Sequence, residues 1–381
     1  MTPTVEELVE QVRPVDRTAY AQARERHAGL AKPPGSLGRL EDLGARLAAI
    51  AHRCPPPVPS SPALVVAAAD HGVHAQGVSD WPQEVTAAMV ATVVSGGAAV
   101  NAIARTVGAQ VVVVDVGTLR LGPVPDGVRD ERVRSATRDL AVEPAMTLDE
   151  CRTAIRAGAR VAAELIDGGT DLLVTGEVGI GNTTASAALF AAFTGADPAD
   201  VTGKGANLDD GRTAHKVDVV RTALARHAAA GRSGPLETLA SLGGLEHAAL
   251  VGVMLAGAAA RIPVVVDGVV TGAAALAAVA LAPEVAGYLV AGHTSAEPGG
   301  RRLPDRLGEP ALLDLSLRLG EGTGALLAVP LVQAAARVLT DMATLADVTR
   351  APSTLPGPGA VDAAIAAPAP LRGGEACRGR S

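Results

Sequence analysis

The stretch LVTGEVGIGNTTASAALF, Leu173 to Phe190, runs from apolar residues through Gly176, Gly179 and Gly181 into an Ala-rich segment with helical bias. A strand-to-helix turn of this kind turns backbone N–H groups and the positive end of a helix dipole outward, and its glycines let an anion such as phosphate come close. The pattern predicts a strand end near Gly176 and a helix start at Asn182 or Thr183, both good N-caps. It is neither a Walker motif nor GxGxxG, and the turn alone also reads as a tight turn with no ligand. Glu177 sits inside it, so an anionic side chain stands where an anion would bind.

Four other stretches concentrate reactive side chains. TGKGANLDDGRTAHK, Thr202 to Lys216, offers Lys204 or Lys216 as the cation for a phosphate, or a capped, solvent-facing helix start. LRLGEGTGALLAVPL, Leu317 to Leu331, holds Glu321 between Gly320 and Gly322. Flanking glycines leave that carboxylate open to a ligand, and burial would raise its pKa into the range of a useful base; a solvated loop Glu is the plain alternative. AGHTSAEPGGRRLPDRLGE gathers His293, Ser295, Glu297, Arg301 and Arg302, with a spacing that suits no closed metal tetrahedron. DHGVHAQGVSDWPQEVT places Asp70, His71 and His74 near Trp81, a weak metal signal beside the reading of Trp81 as a pocket wall or core residue.

These groups need a scaffold. After CPPPVPSSP, Cys54 to Pro62, short apolar runs alternate with helical stretches. The predicted strands are Ala63–Ala69, Val111–Gly117, Asp171–Gly176, Ile262–Gly268 and Gly287–Gly292. The predicted helices are Glu84–Arg105, Leu148–Asp167, Thr183–Phe193, Thr213–Ala230, Glu246–Arg261 and Val270–Leu281, with Thr147 and Glu150 as a capping box. Continuous apolar strands alternating with helices predict an α/β protein with a mainly parallel sheet covered on both faces. Ligands then sit outside the carboxyl ends of the strands, which makes AADHGVHAQGVSDWPQE, DVG, TGEVGIGNTT, DGVVTG and AGHTSAEPGG the candidate site loops. Residues 5–52 read as two amphipathic helices, 309–348 as helical, and 351–381, rich in Pro, Gly and Ala, as a disordered tail.

Bulk properties narrow the function. The 381 residues are 48% hydrophobic but only 1% aromatic, so the core is built from Ala, Val, Leu and Gly. A net charge of −7 and few aromatics disfavour polynucleotide binding. Cys54, Cys151 and Cys377 are odd in number and lack a CxxC, which predicts no disulfide framework and a reducing, cytoplasmic setting. No signal peptide is evident, and the uncharged middle of the most apolar region, Gly268 to Pro283, is short for a membrane span.

Taken together and in order, KPPGSLGRLEDL, ADHGVHAQGVSDWPQEVTAAMV, GGAAVNAIA, GEVGIGNTT, ANLDDGRTAHK, IPVVVDG, AGHTSAEPG and LRLGEGTGALLAVPL resemble the nicotinate-nucleotide–dimethylbenzimidazole phosphoribosyltransferase family over residues 5–348. The resemblance implies transfer of phosphoribose from nicotinate mononucleotide to 5,6-dimethylbenzimidazole, with no cofactor and no metal. It implies a Rossmann-like sheet in a large domain (61–305), a small helical domain from 1–60 completed by the helical segment 306–350, and a homodimer. Residue by residue it implies Glu321 as general base and Glu177 as a second acidic group of the site. Gly179, Gly181, Asn182 and Thr183 would form the phosphate turn, with Lys216 and Ser295 as further phosphate contacts. Arg318 and Gly320 would lie beside the base, and Ser79 to Gln83 would face the benzimidazole. Two positions depart from the family pattern: Asn207 where glycine is frequent, and Gly300 where histidine is frequent.

Three rivals remain in view. The first is the same reaction with another acceptor base, which sequence cannot select because one methyl group in an apolar pocket shifts binding by only ~1–3 kcal/mol. The second is a non-catalytic nucleotide-binding protein, against which Glu321 stands. The third is an NAD-dependent oxidoreductase, against which the missing GxGxxG stands.

Overall fold

The structure is a computed structural model that describes residues 3–119, 122–205, 209–231 and 234–350. The predicted tail, 351–381, and the departure at Asn207 lie outside the described residues.

Three helices open the chain: α1 (Val5–Gln11), α2 (Arg17–Gly29) and α3 (Arg39–Ala51). The two predicted helices therefore become three, because Thr4 and Asp16 each cap a separate start. β1 (Pro62–Ala69) follows and is buried along its whole length. The single helix predicted for 84–105 is two, α4 (Glu84–Val94) and α5 (Ala99–Val107), broken where Gly96 adopts φ +82°. β2 (Gln110–Gly117) then pairs with an unpredicted strand, β3 (Val128–Asp130), too short for an alternation signal. α6 (Leu148–Asp167) begins at the expected Thr147–Glu150 capping box.

β4 (Leu172–Val178) runs two residues past the predicted end, since Glu177 and Val178 still pair with Ala67 and Ala68 of β1. There follow α7 (Asn182–Thr194), α8 (Pro198–Val201), α9 (Asp210–Ala229), α10 (Pro235–Leu242), α11 (Leu245–Ala259), β5 (Val264–Val266), α12 (Val269–Leu281), β6 (Leu289–Ala291) and α13 (Leu303–Leu307). The region predicted as helical from residue 309, with a break at Glu321, is an irregular loop as far as Gly322. Only then do α14 (Thr323–Asp341) and α15 (Leu345–Arg350) form. The left-handed backbone at Ser316, Gly320, Glu321 and Gly322 forbids a continuous helix there.

Among the described residues the six strands are all parallel, in the order β3-β2-β1-β4-β5-β6. The order reverses between β1 and β4, which opens a crevice at their carboxyl ends. α11 and α12 cover one face, backed by α6 and α7; α4, α5 and α14 cover the other. The scarcity of aromatics is met by close backbone contact. A Cβ on Gly158 of α6 would lie 1.8 Å from the Ala249 carbonyl oxygen of α11, and one on Gly252 of α11 would lie 1.8 Å from that of Ile155.

The two ends of the described chain meet. Ala23 and Ala45 pack with Ala48 and Leu339 in a small cluster, and Leu30 bridges Thr344. Two helical stretches, Glu84–Val107 and Thr323–Asp341, are long and apolar enough by composition to cross a membrane. The first is interrupted between α4 and α5, and the second packs against the sheet.

Candidate active site

A cavity of about 560 Å³ opens at the carboxyl ends of β1, β4, β5 and β6. It is lined by Ser79, Glu177, Gly179, Gly181, Asn182, Thr183, Lys216, Ser295, Arg318, Gly320 and Glu321. Of the wall expected from Ser79 to Gln83, only Ser79 lines it, and Gln83 does not. Its amide donates to the His71 carbonyl at 2.9 Å and holds the loop from behind.

The glycine turn is shaped by contact with β1. A Cβ on Gly179 would lie 2.2 Å from the Ala69 carbonyl oxygen, and Gly181 needs φ +96°. The expected cap is corrected: Gly181 occupies the N-cap position of α7 and Asn182 is already helical. The Asn182 amide instead donates to Glu177 Oε2. No side chain caps this helix start, so its dipole faces the cavity. The Ile180 N–H is taken by Thr86 Oγ1 at 3.1 Å.

On the next wall Lys216 is 1% exposed, and its Nζ donates to Thr183 Oγ1 at 2.7 Å and to the Gly203 carbonyl at 3.3 Å. Burial lowers its pKa to about 8, with Glu297 opposing the shift. Lys204, the other candidate cation, pairs with Asp210 at the surface. Arg302 reaches Asp200, so neither arginine of the 301–302 pair lines the cavity. Ser295 is buried and its Oγ accepts the Glu297 N–H at 3.2 Å. Gly300 packs onto it, with a Cβ there 2.6 Å from Ser295 Cβ, so a side chain at 300 would displace this loop.

Opposite lies Glu321, 6% exposed and held at φ +61° between Gly320 (φ +85°) and Gly322 (φ +90°). A bulky residue in the left-handed region stores strain that its surroundings must enforce. They do so by close packing: a Cβ on Gly176 would lie 2.4 Å from the Glu321 carbonyl oxygen, and one on Gly322 would lie 2.4 Å from Leu64 Cδ1. Glu321 Oε2 is buried and has no hydrogen-bond partner. Burial, then the Asp267 charge, raises the Glu321 pKa. Glu177 is raised further, to about 8, by burial and then by Asp267, Glu246 and Glu321, with Asn182 opposing.

Sequence reasoning placed DGVVTG among the candidate loops but gave no role to Asp267, which follows β5 in the run IPVVVDG. Its Oδ2 accepts the Gly322 N–H at 3.2 Å, its Oδ1 accepts the Ala325 N–H at 2.9 Å, and His293 Nε2 lies 3.4 Å from Oδ1. Burial works against charge on His293, but Asp267 outweighs it and lifts the imidazole above its ordinary pKa. An acidic residue directly after a buried strand was the available signal.

His71 and His74 do not converge. The ring of His74 meets the Trp81 carbonyl at 2.9 Å, whereas His71 is fully buried against Glu246. His71, Glu246 and His247 are the one group among the described residues with ligand atoms close enough for a metal ion. The exposed Trp81 is not in the core.

The phosphoribosyltransferase family profile matches residues 12–349. The nicotinate-nucleotide–dimethylbenzimidazole phosphoribosyltransferase of Salinispora tropica is 52% identical over 345 residues, covering 87% of this chain and 94% of its own. The enzyme of the same name from Chloroflexus aggregans is 49% identical over 339 residues, covering 89% and 96%. The crystal structure of the Thermus thermophilus enzyme of that name superposes with a TM-score of 0.83 at 46% identity, covering 88% of this chain and 99% of its own.

Proposed function

The chain belongs to the nicotinate-nucleotide–dimethylbenzimidazole phosphoribosyltransferase family, and on that premise we propose that it transfers phosphoribose from nicotinate mononucleotide to 5,6-dimethylbenzimidazole. The products are α-ribazole 5′-phosphate and nicotinate. The observation that carries this reading is the unpartnered, buried Oε2 of Glu321, which shares a cavity with the glycine turn and Lys216.

The 5′-phosphate binds at the start of α7, near Gly179, Gly181, Asn182 and Thr183, with Lys216 supplying positive charge and Ser295 a hydroxyl. Lys216 already donates to Thr183, so a phosphate there meets a cation positioned in advance. The phosphate is remote from the reacting carbon and serves orientation. Holding both substrates in line supplies up to roughly 7–11 kcal/mol in the best intramolecular analogues.

The pyridinium nitrogen of nicotinate mononucleotide is cationic, so the C1′–N bond breaks with its electron pair going to a neutral pyridine ring. One benzimidazole nitrogen attacks C1′ from the opposite side, which inverts that carbon, while the other loses its proton to Glu321. A positioned carboxylate base contributes typically ~10²–10⁴-fold, and its raised pKa brings it closer to the proton it must accept. Glu177, with a pKa near 8, is protonated at neutral pH. It acts as a hydrogen-bond donor toward the ribose or the bases rather than as a competing anion beside the phosphate. Ser79 faces the benzimidazole, Arg318 and Gly320 frame the base, and Gln83 supports that wall from behind.

We read 1–60 with 306–350 as a small domain and 61–305 as the large one, supported by the cluster of Ala23, Ala45, Ala48 and Leu339. The chain functions as a cytoplasmic homodimer, which gives Trp81 and Leu119, exposed beside the cavity loops, a surface to meet. The reaction is tested by supplying both substrates and following nicotinate and α-ribazole phosphate by chromatography. No product with any benzimidazole would sink the reading.

A further inference from the structure

Behind the glycine turn lies a buried chain of polar groups that the reaction above does not use. His71, Glu246 and His247 are each 0% exposed. Glu246 Oε1 lies 2.9 Å from His71 Nε2 and 2.7 Å from His247 Nδ1. His247 Nε2 lies 2.9 Å from Ser186 Oγ, which donates to the Asn182 carbonyl at 2.8 Å. Asn182 in turn donates to Glu177. At the other end, the His71 carbonyl accepts the Gln83 amide. The chain therefore joins the first turn of α7 to the loop carrying Ser79 and Gln83.

The contacts constrain its protons. The Ser186 hydroxyl proton is committed to a carbonyl, so His247 Nε2 must be the donor toward Ser186. His247 Nδ1 accepts the Gly244 N–H at 3.1 Å and lies 2.7 Å from Glu246 Oε1, a contact that is attractive only with a proton between its two atoms. The first turn of α11 favours that carboxylate, and Oε1 accepts from both rings. A second bridge runs beside the first, from Asp70 through Thr86 to the Ile180 N–H.

We propose that His71, Glu246 and His247 form a buried positioning relay, built on a Glu246–His247 ion pair, which sets the phosphate turn against the acceptor-facing loop through Ser186. The proposal rests on the function given above only for which substrate each wall holds. The same three residues have metal-ligand spacing, and His71 Nδ1 and Glu246 Oε2 have no hydrogen-bond partner, so the metal content is one arm of the test.

The test is made on the full chain. Side-chain ¹H–¹⁵N spectra of ¹⁵N-histidine protein should show one imidazolium with both nitrogens protonated at neutral pH. Ser186→Ala, which removes one oxygen, should raise the donor KM and calorimetric Kd about tenfold while kcat stays within about threefold. His247→Gln, whose amide can still donate to Ser186, should bind donor better than His247→Ala. A neutral tautomer at His247, wild-type donor affinity in Ser186→Ala, or one tightly bound metal ion per chain by elemental analysis would each overturn the relay. An inactive wild-type enzyme would count against the proposed reaction instead, since the spectra and donor binding do not depend on turnover.

Discussion

Asp267 accepts the backbone N–H of Gly322 at 3.2 Å, and that bond ties the end of β5 to the loop that presents Glu321. The same carboxylate also accepts from Ala325 in the first turn of α14 and faces His293. Its charge therefore does two things to Glu321: it holds the neighbouring backbone in the left-handed region, and it discourages ionisation.

Asp267→Asn separates these effects. An amide offers one acceptor atom for two N–H groups, so kcat/KM should fall by roughly tenfold or more. Loss of the negative charge also removes one cause of the raised Glu321 pKa. The acid limb of kcat/KM, set by a base that must be ionised, should move to lower pH. Glu177 and His293 also face this region and stay in place in the variant, so an acid limb that stays put or moves up contradicts the coupling.

Glu321→Gln should lose about 10²–10⁴ in kcat with the donor KM nearly unchanged. Glu321→Gly should be as inactive yet melt at a higher temperature, because glycine relieves the φ +61° backbone and a buried acid is removed. A Glu321→Gln variant with full turnover would move the base elsewhere.

Lys216→Met keeps the buried stem and removes the charge. The donor KM should rise about tenfold to a hundredfold, the cost of one charged hydrogen-bond partner. In the wild type a pKa of about 8 means the cation is lost as pH rises past that point, so donor affinity should weaken above pH 8. Calorimetric titration of donor across pH measures both.

Glu177 sets a pH dependence of stability. Its folded pKa of about 8 lies above its ordinary value of 4.5, so between these the folded state holds a proton that the unfolded state has lost. That contribution is complete below about 4.5 and is lost as pH rises through about 8. Melting temperatures of ligand-free wild type and Glu177→Gln should therefore diverge across this window, in favour of the variant at the alkaline end. Parallel curves would show that Glu177 ionises normally.

Gly179→Ala should disrupt the turn. Its Cβ would fall 2.2 Å from a backbone oxygen of β1, which cannot swing aside. Overpacking of this kind costs typically about 1–3 kcal/mol. The donor KM should rise together with the loss of stability, measured by denaturant unfolding.

Much was legible along the chain because it was local. Apolar β-branched runs ending in Gly, Asp or His announced buried parallel strands, and their loops held Ser79, Glu177, the glycine turn and Ser295, which line the cavity with Lys216 and Glu321 from elsewhere in the chain. Thr147 and Glu150 announced α6 because a capping box is complete within four residues. Glycine flanks announced Glu321 as open to a ligand at a break between helical stretches, and its left-handed backbone supplies that break. What the chain could not announce were relationships across distant segments. Which of Lys204 and Lys216 enters the cavity depends on how α9 packs beside α7. Whether Glu177 faces a phosphate depended on Asn182 turning from helix cap to hydrogen-bond donor, which follows from Gly181 taking the cap position. Asp267, His293, Glu246 and His247 gained their parts only when strand order brought β1, β4, β5 and β6 side by side. Residue type supplies the chemistry a group can perform; the parallel sheet, by setting which carboxyl ends are neighbours, decides which groups act together.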